Sequence, residues 1–217
     1  MNVLLSGVVR SPAADLDLLV AWRMGDRDAG LALVERYHDA LYRFFDAKVA
    51  GDVQGLVTQT FRACAEVGLE LDGVARFEVL LWAAARAALY GYLEAQYAQG
   101  GAALTVPIDP SSMSLEELGG SPMTHGSEGE GLLERALPMI PLESQLLLEL
   151  RLREGLSLLE LAYVMGQPAA WVVERAEVAS RRWLDALEEL GADEDLEARL
   201  KAALARWSMP SVDAMPS

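Results

Sequence analysis

Apolar residues recur along this chain at the three- and four-residue spacing of helices, and the recurrences stop at glycines. Ser11 and Pro12 suit a cap and first turn, and Leu16, Leu19, Val20 and Trp22 then predict a helix ending near Gly25. Asp26 follows as the next cap, ahead of the stripe Val34, Tyr37, Leu41, Phe44 and Phe45. After Gly51, Asp52 heads a third helix with Val53, Leu56, Val57, Thr60, Phe61 and Cys64 along one face. The same series returns in Phe77, Leu80, Leu81, Ala84, Ala85, Ala88 and Tyr92. Four helices in the first 96 residues predict a compact bundle.

The pattern then lapses. Residues 97–131 are rich in Gly, Ser and Pro and carry no Lys or Arg after position 100, the composition of a flexible tether with at most one helical turn at Ser114–Leu118. His125 lies in it and reads as a surface loop residue. Helical spacing resumes from Leu132 to Leu190. Pro141 starts a helix and Gly155 is placed to end it in a left-handed cap. Ser157 with Glu160 forms a capping box for a helix over Leu158–Met165, Gly166 ends that helix, and Pro168 opens the next. Ala162, Gly166 and Val172 supply the small residue, tight turn and buried apolar residue with which two short helices cross steeply, as in a helix-turn-helix. A last helix is expected over Asp193–Trp207, with Leu196, Leu200, Ala203, Leu204 and Trp207 on a face that caps the second unit. The fold class is therefore all-α: two small helical domains, 11–96 and 132–190, joined by the linker 97–131 and followed by an extra helix and tail over 191–217.

Composition narrows the function. The 217 residues are 52% hydrophobic and 24% charged, ordinary for a globular chain, and the net charge is -15. No segment is basic overall; residues 131–191 carry 6 basic and 10 acidic side chains. Duplex binding draws most of its affinity from phosphate neutralisation, so stand-alone DNA binding is disfavoured and any DNA contact needs a local Arg patch or a larger assembly. The single cysteine, Cys64, excludes an intramolecular disulfide and falls on an apolar face as a packed core thiol. The N-terminus has no basic region before its short apolar run, and Val79 to Ala85, the longest apolar stretch, is too short to span a bilayer. A cytoplasmic location is expected, without membrane association. Neither His38 nor His125 sits in a metal-spaced pair and no phosphate-cradling glycine loop occurs, so no catalytic residue, metal or cofactor is expected.

Order and local sequence together resemble the extracytoplasmic-function sigma factors, the smallest type in the sigma-70 family. DLDLLVAWRMGDRDAGLALVERYHDALYRFF resembles the first helices of their promoter-melting domain, LVTQTF its polymerase-binding helix, and FEVLLWAAARAALYGYL the helix that meets the -10 element. LPMIPLESQLLLELRLREGLSLLELAYVMG resembles the start of the -35-reading domain. The resemblance implies a non-enzymatic subunit that binds core RNA polymerase, directs it to promoter DNA and opens the duplex, and that an anti-sigma or other regulatory protein can hold. It carries polymerase binding onto Leu56, Val57, Gln59 and Phe61, and DNA contact onto Arg86, Trp171, Arg175, Arg181 and Arg182.

The sequence also departs from the family. Gln54, Gly55 and Gln59 stand where acids usually meet a basic clamp on polymerase; Ala87 and Gly91 replace an Asn and an Asp; Val173 and Glu174 replace a Lys and a Ser in the reading helix. Leu56, Val57 and Phe61 equally suit an ordinary core face, Arg86 helix packing, and Arg181 and Arg182 pairing with Glu177, Asp185 or Glu188. Trp171 is either packed against its own domain or exposed as a protein-binding anchor. Two functions stay open: a divergent sigma factor that takes its charge from polymerase and touches DNA only in that complex, and a degenerate relative that has lost promoter binding and regulates through protein contacts.

Overall fold

A computed structural model of the protein describes residues 12–66, 76–99 and 131–192, together with Ala198. Among the described residues every regular element is helical: α1 (Pro12–Arg23), α2 (Arg27–Asp46), α3 (Val53–Glu66), α4 (Phe77–Gln99), α5 (Leu132–Ala136), a 3-10 turn at Leu137–Met139, α6 (Leu142–Leu152), α7 (Leu158–Met165) and α8 (Ala169–Glu189). Of the tether expected over 97–131, residues 97–99 instead continue α4, and 100–130, with the turn at Ser114–Leu118 and His125, lie outside the described residues, as does the stripe expected over Asp193–Trp207. None of the described helices is long and apolar enough to cross a membrane.

Local chemistry sets the helix ends. Asp26 accepts from the backbone N–H groups of Asp28 and Ala29 at 3.0 and 3.2 Å, satisfying donors that α2 cannot use itself. Asp52 accepts from Gly55 N–H at 2.8 Å and so starts α3. The expected capping box is present: Ser157 N–H donates to Glu160 at 2.7 Å and Glu160 N–H donates to Ser157 Oγ at 3.3 Å. Gly155 and Gly166 both sit in the left-handed region, with φ of 69° and 65°.

The second, third and fourth helices bury most of the positions their spacing predicts, whereas of those in α1 only Leu19 is fully buried and Val20 is 43% exposed. Leu33, Tyr37, Leu41 and Phe45 of α2 meet Leu56, Val57, Phe61 and Cys64 of α3 and Phe77, Leu81, Ala85 and Leu89 of α4. Val34, Ala84 and Tyr92 are only half-buried. Asp15 of α1 is itself buried; it accepts from Arg36 and from the Tyr37 hydroxyl of α2, binding the two helices together. Where α1 crosses α2, Gly30 leaves room for Trp22: a Cβ there would stand 2.6 Å from the indole. Arg23 donates to the Cys64 carbonyl at 2.7 Å, a cation on a group near the C-terminus of α3.

In the second half α8 lies across α6 and α7. Every residue of α6 from Leu142 to Leu150 is buried, polar ones included, because the helix has neighbours on all sides. Buried Gln145 donates to the Ile140 carbonyl at 2.8 Å. The hydrophobic cluster runs from the first half into the second, and α7 packs directly on α4. The two halves therefore meet along a seam.

Candidate functional site

The α7–α8 unit gathers most of the side chains that sequence assigns to DNA. With 100° per residue, α8 turns Val172, Ala176, Ala179, Trp183 and Leu187 into the core. The opposite face exposes Ala170, Glu174, Glu177, Arg181, Asp185 and Glu188. Arg181 is thus the one cation in an outward stripe of four carboxylates, with Glu177 and Asp185 one turn away on either side. Phosphate approaching this face meets net negative charge.

Trp171, Arg175 and Arg182 line the flank between the two faces. Trp171 is half-buried and packs against the core, so it is not an exposed apolar anchor. Arg175 lies over its ring at 5.6 Å and stands 3.8 Å from Glu143 in the first turn of α6. Arg182 borders a shallow cleft with Pro141, Asp185 and Glu189. Arg175 is therefore turned toward an internal carboxylate.

Arg86 of α4 packs instead on an aromatic ring of its own helix. Its guanidinium sits 4.7 Å above the Tyr90 ring. Burial pushes the Tyr90 phenol up to about 12; the Arg86 charge pulls the other way and the nearby Glu143 carboxylate adds to the rise. Tyr90 of α4 and Arg175 of α8 thus both lie near Glu143 of α6. Arg86 and Tyr90 are both half-buried, with the Arg86 Nε and the Tyr90 phenol oxygen turned away from solvent.

The four polymerase assignments divide. Leu56, Val57 and Phe61 are at most 5% exposed and fill the core of the first half. Only Gln59 points outward, on a polar face with Gln54, Thr58 and Arg62. Gln54 is 3.3 Å from His38, and Arg62 pairs with Glu66 on its own helix. Any partner of α3 meets amides and one paired arginine.

Sequence reasoning missed the polar contacts across the seam. Lys48, just past α2, is buried; it donates to Glu149 of α6 at 2.6 Å and lies 4.3 Å from the centre of the Phe44 ring. Arg76, before α4, stands 2.8 Å from Glu160 of α7. Neither pair is local in sequence, so no spacing rule reveals it. The one available signal was the run Leu146–Leu148 beside Leu150, which no single amphipathic face accommodates.

The described residues hold no group of three or more His, Cys, Asp or Glu able to bind a metal. No protein-family model matches the chain, and no curated protein matches it significantly.

Proposed function

We propose that the chain is a transcription-initiation protein of the extracytoplasmic-function sigma type, which binds core RNA polymerase and reaches promoter DNA only within that complex. The observation that supports this reading most is the order of elements. A four-helix set ending in the FEVLLWAAARAALYGYL helix precedes two helices joined through left-handed Gly166, the arrangement of a helix-turn-helix. The charge of -15 and the acidic outer stripe of α8 leave polymerase as the source of phosphate affinity. Arg181 and Arg182 are then positioning contacts to phosphate, and base reading is confined to apolar contact from side chains such as Ala170.

A second reading is favoured by one specific feature. The outer face of α8 is acidic and Arg175 is turned onto Glu143, which suits a sigma-derived regulator that binds proteins and no longer reads promoters. Multi-round transcription with purified core polymerase, the full chain and fragmented genomic DNA separates the two. Chain-dependent start sites support the first reading. Polymerase binding without any chain-dependent transcript supports the second, and absence of polymerase binding sinks the first.

A further inference from the structure

Three residues of α4 lie at i, i+4 and i+8 on the ridge that meets the second half: Trp82, Arg86 and Tyr90. Each leaves a polar atom buried without a hydrogen-bond partner: the indole N–H, the guanidinium Nε and the phenol oxygen. Nη2 of Arg76, at the same seam, is in the same state. Buried polar groups in a permanent core are nearly always bonded, because desolvation without a replacement bond is unfavourable. Unpartnered polar atoms concentrated along one contact mark a surface whose alternative is water.

Two further features agree. The closest links across the seam are ion pairs, Lys48 with Glu149 and Arg76 with Glu160, whose partners regain full hydration on separation. A partly open cleft of about 220 Å³ also runs into the seam, between Ala40, Phe44 and Trp82 on one side and Glu149 and Leu150 on the other. Each half meanwhile has an apolar centre of its own, around Leu33, Phe45 and Leu81 in one and Leu146, Leu161 and Val172 in the other.

We propose that the seam is a releasable latch: closed, it covers the Trp82–Arg86–Tyr90 ridge, and it opens by parting the halves while the helices of each stay folded. Any partner of that ridge is excluded until the latch opens. As a statement about motion, this stands apart from the sigma reading.

Hydroxyl-radical footprinting of the full chain, read by mass spectrometry alongside far-ultraviolet circular dichroism, tests it. In Lys48→Ala, Glu149 loses its cation and escapes to water by opening. Labelling of Trp82 and Tyr90 is expected to rise at least fivefold while Leu33 and Phe45 stay protected and helicity is unchanged. Arg76→Ala, at the rim of the seam, is expected to give a smaller rise of the same pattern. Lys48→Met combined with Glu149→Leu is expected to label no more than the parent. The latch is overturned if ridge and core residues become labelled together, if Lys48→Ala loses its helices, or if both single variants leave the ridge as protected as in the parent.

Discussion

Cys64 gives the sharpest test of how the first half is packed. Burial pushes its thiol from 9.0 up to about 12, against the pull of Arg23. The folded state thus holds the proton more tightly than the unfolded chain, so the contribution is complete below about pH 9 and is lost as pH climbs toward 12. At pH 10 the unfolded thiol is about nine-tenths ionised and the folded one almost wholly protonated. The ratio of binding polynomials is about 11, which costs on the order of 1 kcal/mol of stability relative to pH 7. Cys64→Ala removes this contribution and leaves every other titrating group in place. Its absolute stability falls by about 1 kcal/mol for the lost sulfur contacts, but the readout is the difference in pH slope. Urea unfolding of both proteins at pH 7, 8.5 and 10, followed by circular dichroism, measures it. Equal slopes for parent and variant would refute the burial argument, as would alkylation of the native thiol at pH 8 as fast as in urea.

Three further outcomes follow from individual side chains. Gly166→Ala places a Cβ in a left-handed turn, at φ of 65°, and is expected to cost about 1 kcal/mol in urea unfolding; an unchanged midpoint would show that the turn adapts freely. Gly30→Ala sets a Cβ against the Trp22 indole. Overpacking of ~1–3 kcal/mol exceeds the helix-propensity gain of up to ~1 kcal/mol, so a lower thermal midpoint is expected and a higher one would contradict the close crossing of α1 and α2. Gln59→Glu restores an acid on the exposed face of α3, where stability should change by less than ~0.5 kcal/mol. Under the sigma reading, affinity for core polymerase rises by about 1 kcal/mol, measured by fluorescence anisotropy; weaker or unchanged binding removes α3 from that interface.

Local signals in the sequence carried far and then stopped. The Asp26, Asp52 and Ser157–Glu160 caps and the Gly155 and Gly166 turns were legible because each depends on neighbours within a few residues. Helical spacing also identified the stripe of α3, but the same spacing serves an inward core face or an outward docking face. Burial of Leu56, Val57 and Phe61 assigns them to packing. The Arg86–Tyr90 contact is i,i+4 on one helix, but the approach of Tyr90 and Arg175 to Glu143 was not legible, since α4, α6 and α8 meet only through the tertiary fold. Glu149 is the clearest example: in sequence it is one acid in a leucine-rich helix, and its partner Lys48 lies 101 residues away. Composition forecast a poor stand-alone DNA binder, and the stripe Glu174, Glu177, Asp185 and Glu188 shows where part of that charge lies.

The most direct measurement is titration of purified core RNA polymerase with the full chain at about 0.15 M salt, with duplex DNA alone as a parallel arm. The sigma-type account predicts a saturable one-to-one complex with polymerase at submicromolar concentration, and DNA retention only when polymerase is present. No polymerase complex at micromolar concentration, or tight and steeply salt-dependent binding of the free chain to duplex DNA, would contradict it.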